Sequence, residues 1–383
     1  MESQRKVRLG IIGTGRRGAY LASLYHSYPK CEVTALCDRF EHVAEEVAGQ
    51  LGIPGVARFT SFELLIDSGL VDAVLIAAPP TLQVDIACYA MEQGIHVTTE
   101  VPAAYTIEQC WKLVRTVEKT GVKYQLCEQL RYASFVQEWE RMARAGEFGK
   151  ILLAEGEYYH YEENWRRYTD LRTGKMYSQP DQAGVDAQIE STWRDITFSH
   201  PIFYLPHTLS PLLKIMNDRV THVSCFGTRP QGYTHPNWPV RDIELAQMRT
   251  SQDSIIRVGV GFSTPHGPRK DTACHWYQVK GTERSVEWSR SKTDLPRLWN
   301  KGDEDWTEMR WSLRPEEASE FIKTSGHGGV DGWPVETFVR AILEDSAVTM
   351  DVYDAVETAA PAILAAESSD EGGTLKTVPN FRK

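Results

Sequence analysis

Long apolar runs are missing from this chain of 383 residues: the best, Ala73 to Ala78, is the length of a strand and far below the roughly 18 residues of a membrane span. Cationic runs are missing too. Forty-two Lys and Arg stand against 52 Asp and Glu, a formal net charge of −10, which argues against nucleic acid or an anionic membrane surface as partner. The seven Cys form no C-x-x-C and no metal-like spacing, so neither a disulfide scaffold nor a zinc module is expected, and no metal. Reduced, mostly buried thiols of a cytoplasmic protein are expected instead. The opening MESQRKVRLG runs straight into a strand, and no signal peptide is expected there. Repeats and low-complexity tracts are absent as well. What remains is an ordinary globular composition, 42% hydrophobic and 25% charged, at a length that suits two domains.

The first third alternates short β-branched runs with helical patterns, the signature of a parallel sheet covered by helices. Strands are expected at Val7 to Ile12, Val33 to Cys37, Ala73 to Ala77, His96 to Thr98 and Lys123 to Leu126, all nearly continuous in apolar character as doubly covered strands must be. After the first comes Gly13-Thr14-Gly15-Arg16-Arg17-Gly18, a G-x-G-x-x-G between strand and helix. Its glycines allow a tight turn, close approach of a pyrophosphate and close packing of the helix on the strand. Asp38 ends the second strand, where a carboxylate accepts hydrogen bonds from the adenosine ribose. This predicts a Rossmann dinucleotide-binding domain over residues 1–127. Asp38 favours NAD by repelling a 2′-phosphate, whereas Arg39 and Arg16 nearby are cationic groups that could accept one; NAD is the expected cofactor, NADP the less expected. Arg17 reads as a solvated residue of the helix start.

From Glu128 onward the alternation stops, and residues 128–383 form a second domain. Of the 11 Trp, only Trp111 precedes it. The segment Tyr158 to Tyr168 alternates rings with hydrogen-bonding groups, the mixture of a carbohydrate pocket, although each single ring suits a sheet–helix core equally well. His207 follows Pro206 and precedes Leu209, Leu212 and Leu213, a helical stripe, so it stands at a helix start. Tyr204, three residues earlier, shares its face if the turn is helical, giving a hydroxyl–imidazole pair suited to proton transfer; a structural role is the open alternative. Arg194 reads either as a surface ion pair with Asp195 or as a clamp on a sugar hydroxyl or acetamido group. His327 lies in a glycine-rich loop that a ligand can approach closely. Asp351 and Asp354 predict the start of a last long helix, Val352 to Glu367, which Pro361 should kink or interrupt.

Three further segments carry a resemblance: Ala77 to Gln83 (AAPPTLQ), Ala90 to Val97 (AMEQGIHV) and Glu100-Val101-Pro102. With the glycine fingerprint they resemble the Gfo/Idh/MocA oxidoreductase family. That resemblance implies a Rossmann domain joined to an α+β domain whose open, mainly antiparallel sheet forms the substrate face and the usual contact of a homo-oligomer, dimer or tetramer. It also places Pro80, Gln83, Glu100, Val101 and Gln129 at the cofactor, Gln129 standing where relatives have an Asn. The family's catalytic Lys in "E-K-P" is Val101 here, and the His of its "T-P-N-x-x-H" is Gln83.

One branch of the family carries "E-V" at that position, the NAD-dependent glycosidases of glycoside hydrolase family 109. Ser191 to Arg194, Tyr204-Leu205-Pro206-His207, Gly326 to Asp331 and Met350 to Asp354 are similar to that branch's "K-W-R", "Y-x-x-H", "G-H-G-G-M-D" and "L-D-V-Y-D". The resemblance implies that Tyr204, His207 and Tyr158 are catalytic, that the same three with Arg194 and His327 bind a sugar, and that a tightly bound, recycled NAD assists glycoside cleavage. The Tyr that the branch carries before "V-x-G-T-E" is not matched, Ala273 standing there. The same residues fit a sugar or cyclitol dehydrogenase with net hydride transfer, or a non-catalytic NAD sensor.

Overall fold

The computed structural model describes residues 5–161, 167–178, 180–192, 199–234, 236, 239–265, 274–312 and 318–383. The chain divides into two compact units. The first comprises Met1–Cys127, Asn164–Thr197 and Gly332–Val356, the second Glu128–Glu163, Phe198–Asp331 and Glu357–Lys383. Among the described residues no helix is long and apolar enough to cross a membrane.

The first unit is built on six parallel strands in the order β3-β2-β1-β4-β5-β6: β1 (Val7–Ile12), β2 (Cys31–Cys37), β3 (Ala57–Phe59), β4 (Ala73–Ile76), β5 (His96–Thr99) and β6 (Tyr124–Leu126). The crossovers are α1 (Arg16–Ser27), α2 (Glu41–Gln50), α3 (Phe62–Ile66), α4 (Pro80–Glu92) and α5 (Ile107–Thr120). This is the parallel α/β sheet that the apolar runs require; Val74, Leu75 and Ile76 are wholly buried. The segment β3–α3 lies outside the expected elements because β3 is three half-buried residues with Arg58 at its centre. Helix Gly332–Leu343 packs on β1, α1 and β6, and the buried Gln125 amide donates to the Pro334 carbonyl (2.8 Å). A small antiparallel sheet, β8 (Tyr168–Asp170), β9 (Met176–Tyr177) and β10 (Ile189–Ser191), belongs to the same unit.

The second unit holds a nine-stranded sheet in the order β17-β16-β15-β14-β7-β13-β12-β11-β18, in which only β7 and β13 run parallel. Its centre is β11 (Val220–Gly227), β12 (Ile243–Thr250), β13 (Ile255–Gly261), β7 (Ile151–Tyr159) and β14 (His275–Gly281). Helices α6 (Ser134–Arg144) and α7 (Leu205–Met216) pack together, and α7 lies on β7. The stripe of α7 is buried as its spacing demands, Leu205, Leu209 and Leu212 wholly so. Phe135 stacks on Trp288 at 4.2 Å, and Trp139 and Trp276 are fully buried, so these indoles fill the core. Asp351 accepts from the Asp354 amide (2.9 Å) as an N-cap. The final helix, Val352–Asp370, runs unbroken through Pro361, against expectation. Its buried Ala359, Ala360, Ala362, Ile363 and Ala365 supply packing that outweighs one missing backbone hydrogen bond.

Where β12 begins, Glu244 is wholly buried, and its carboxylate is shared by the His200 ring (2.9 Å) and the Ile202 amide (3.0 Å). The other ring nitrogen of His200 lies 3.3 Å from Asp370, which also pairs with Arg241 (2.7 Å). Burial disfavours the imidazolium, but the Glu244 hydrogen bond and the charges of Glu244 and Asp370 outweigh burial and Arg241, so the His200 pKa is raised. A raised folded-state pKa gives stability that is complete below the unfolded value of about 6.5 and is lost as pH climbs through the raised value. Thermal unfolding of wild type and His200→Gln should therefore show the larger Tm gap at about pH 6 and a smaller one at about pH 8.5; a gap that does not narrow contradicts the protonated pair.

Candidate active site and nucleotide-binding loop

In the first unit the chain leaves β1 through a glycine loop. Gly13 sits at φ +89, and a Cβ there would lie 2.6 Å from the Ala77 carbonyl oxygen. A Cβ on Gly18 would strike the Gly13 carbonyl, so this glycine lets α1 press against the loop. Gly15 is different: nothing lies within 4 Å of where its Cβ would point, and as N-cap of α1 it makes no side-chain bond to the first-turn amides. An open space before exposed helix N–H groups is the cradle that a pyrophosphate needs. These residues fit a dinucleotide.

Asp38 stands one residue beyond β2. One carboxylate oxygen accepts from the Thr14 amide (3.0 Å) and hydroxyl (3.2 Å), the other from the Phe40 amide (3.1 Å). The acid thus fixes the glycine loop while standing at the ribose position. Arg39 lies over the Phe40 ring at 4.7 Å and 3.7 Å from Glu190 of β10. Arg16 is exposed. Arg17, expected to be solvated, instead pairs with Glu100 at 2.6 Å, because α1 turns its first residues toward the end of β5. The other Glu100 oxygen accepts from the Val101 amide (3.1 Å). Pro80 begins α4, and Gln83 behind it is buried, its amide donating to the Pro102 carbonyl (3.4 Å). In the second unit Gln129 is buried beside Glu128.

A second constellation forms within the second unit. Tyr158, near the end of β7, is paired on one side with Val260 and on the other with His275. Cross-strand neighbours share a face, and the Tyr158 ring stacks on the His275 ring at 4.1 Å and 12°. The turn Pro201–Tyr204 then enters α7, bringing the Tyr204 ring to 6.0 Å and the His207 ring to 5.9 Å from Tyr158, with 5.8 Å between those two. Phe262 closes edge-on against Tyr158 (5.4 Å), Tyr204 (4.9 Å) and His160 (4.7 Å). Behind His207 lies Glu128, wholly buried, with a carboxylate oxygen 2.5 Å from Nδ1 of the ring.

Of the residues singled out in the sequence, Tyr158, Tyr204 and His207 come together. His327 takes another role: at φ +50 it holds its half-exposed ring against the buried Asp331, 2.8 Å away. Arg194, with Trp193, Asp195, Trp165 and Ala273, lies outside the described residues. Sequence reasoning missed His275, Phe262, His160 and the pairing of Glu128. The i,i+2 placement of His275 and Tyr277 on one strand face was the available signal for the first; Phe262 offered none.

Comparison with known proteins agrees with both constellations. Residues 7–127 match the model of an oxidoreductase family with an NAD-binding Rossmann fold, Gfo/Idh/MocA. Residues 273–383 match the C-terminal domain of glycosyl hydrolase 109. The chain joins a Gfo/Idh/MocA domain to a family 109 domain. It is therefore an NAD-dependent enzyme of the Gfo/Idh/MocA type. A glycosyl hydrolase family 109 protein of Streptomyces niveus is 28% identical, over 100% of this chain and 78% of its own length. Among solved structures, an oxidoreductase from Agrobacterium radiobacter in complex with NAD+, L-tartaric acid and magnesium superposes with a TM-score of 0.73 at 17% identity, covering 97% of this chain and 98% of that one. The myo-inositol 2-dehydrogenase of Lactobacillus plantarum does so with 0.69 at 17%, covering 98% and 100%. These two likenesses establish the shared Gfo/Idh/MocA fold.

The two glycines separate folding from binding. Gly18→Ala should cost about 2 kcal/mol of stability, because backbone must move. Gly15→Ala, at φ −62, should change stability by less than about 0.5 kcal/mol yet weaken NAD binding by filling the cradle. Thermal unfolding and calorimetric titration with NAD check both; unchanged NAD affinity in Gly15→Ala contradicts the cradle.

Proposed function

We propose that the protein is an NAD-dependent glycosidase. The observation that carries this reading is the convergence of Tyr158, Tyr204 and His207, with Val101 at the position of the lysine that dehydrogenases of the family use. Ordinary glycosidases flank the scissile bond with two carboxylates about 5 to 10 Å apart. Here the ring cluster has proton-transferring hydroxyl and imidazole groups, and its one carboxylate neighbour, Glu128, is wholly buried. Such a set serves a route in which the sugar is activated by oxidation rather than by protonation alone.

Gly13, Gly15, Gly18 and Asp38 hold the cofactor, with Arg16, Arg39, Pro80, Gln83, Glu100, Val101 and Gln129 assigned to the same site. When bound, NAD supplies reversible hydride acceptance at carbon 3 of the sugar, which acidifies the carbon 2 hydrogen for elimination of the aglycone before water adds and the hydride is returned. Tyr204 and His207 move the protons at carbons 2 and 3, a contribution of about 10² to 10⁴ in rate. Tyr158 lies against both rings and holds the sugar while sharing the acid/base work; Arg194 and His327 are assigned to sugar binding. The aromatic walls Tyr158, Phe262 and His275 suit the C–H face of a pyranose.

Asp38 supports NAD over NADP, and Glu190 supports it further by occupying Arg39 with a second carboxylate. Assembly as a homo-oligomer is supported by Phe226 and Leu245, exposed cross-strand neighbours on the open face of the nine-stranded sheet, with Ile255 and Leu375 exposed nearby.

The test is to incubate the protein with α- and β-linked aryl glycosides while following aglycone release and NADH absorbance together. Many turnovers of aglycone without matching NADH are expected, and Tyr204→Phe and His207→Ala should lower kcat by about 10² or more at unchanged Tm. One NADH per sugar consumed, without aglycone, would replace this reading with a sugar or cyclitol dehydrogenase. Activity of neither kind, in wild type and variants alike, would leave an NAD-sensing protein.

A further inference from the structure

We infer that Glu128 is a positioning residue that fixes His207 as a base through its Nε2 nitrogen; the inference rests on the proton-transfer role given to His207. Glu128 is wholly buried and carries two different attachments. One oxygen accepts from the Leu130 amide at 2.9 Å, inside the turn Leu130–Tyr132, which ties the carboxylate to backbone. The other stands 2.5 Å from Nδ1 of His207. A buried carboxylate without a partner is costly, and a neighbouring imidazole N–H is the group that relieves it. The arrangement therefore selects the tautomer with the proton on Nδ1 and leaves the lone pair on Nε2.

Two more contacts hold the ring's own backbone. The Tyr277 hydroxyl donates to the His207 carbonyl at 3.2 Å, and Pro206 stands in the first turn of α7. His207 is thus fixed at both ends: main chain by the sheet, ring by Glu128. The negative charge beside Nδ1 also stabilises the imidazolium that forms when Nε2 accepts a proton, so it raises the basicity of the ring. Glu128 touches no reacting atom in this scheme; it acts through His207.

The decisive variant is Glu128→Gln, which keeps the shape and removes the charge. It should lower kcat on an aryl glycoside at least tenfold with little change in KM, and move the acid limb of the kcat–pH profile to lower pH, since a less basic imidazole loses its proton sooner. In a His207→Ala background the same substitution should add nothing, because the partner through which it acts is gone. Glu128→Asp, which keeps the charge one methylene further away, should retain the wild-type pH profile better than Gln. An unmoved acid limb, or a full additional loss in the double variant, overturns the inference. Histidine ring-nitrogen NMR of the wild-type protein decides the matter even if Glu128→Gln does not fold. With His207 assigned by comparison with His207→Asn, protonation on Nδ1 of the neutral ring supports the inference and protonation on Nε2 overturns it. This readout needs no turnover, so failure of the glycosidase assay and failure of the Glu128 pairing remain distinguishable.

Discussion

The double pairing of β7 is the constraint on which the site depends. One edge of that strand runs parallel to β13 and the other antiparallel to β14, so Tyr158 has neighbours fixed on both sides by backbone hydrogen bonds. Side chains alternate along a strand, and a shift of one residue in either pairing would turn Tyr158 away from His275. Because α7 packs on β7, the same register decides that Tyr204 and His207 face Tyr158 rather than solvent. The site is thus mounted on sheet and helix rather than on a free loop, which favours the sub-ångström placement that proton transfer requires.

Charge inside the second unit follows one rule in two places. Glu128 and Glu244 are both wholly buried, and each lies against a histidine and a backbone amide. Around Glu244 the network is wider, reaching Arg241 and Asp370, and it joins the start of β12 to the end of the last helix, where it serves folding. Around Glu128 the histidine stands among the rings of the candidate site. The same chemistry therefore stabilises in one place and tunes in the other, and the surroundings of the imidazole make the difference.

Most of the first unit was legible because strands covered on both faces read as short, continuous apolar runs, and the G-x-G-x-x-G sits between two of them. The edge strand β3 escaped because Ala57, Arg58 and Phe59 are half-buried and carry no such run. In the second unit the proximity of Tyr204 and His207 followed from helical spacing, a local property. His275 and Phe262 come to Tyr158 through strand pairings between segments far apart in the chain, which no local pattern records. The tryptophans misled in a different way. Their abundance suggested a sugar site, yet Trp139, Trp276 and Trp288 fill the core, and the candidate site is lined by tyrosine, histidine and phenylalanine. Pro361 shows the limit of a propensity argument: where a helix is buried on nearly every side, packing overrides one lost hydrogen bond.

Elimination across carbons 1 and 2 is the step that separates this account from direct displacement and from simple oxidation. It is read most directly by running the cleavage of an aryl glycoside in heavy water and locating deuterium in the released sugar by NMR. The account predicts deuterium at carbon 2 in every molecule of sugar released, because the proton taken from that carbon is replaced from solvent. Released sugar that keeps its original hydrogen at carbon 2 would contradict it.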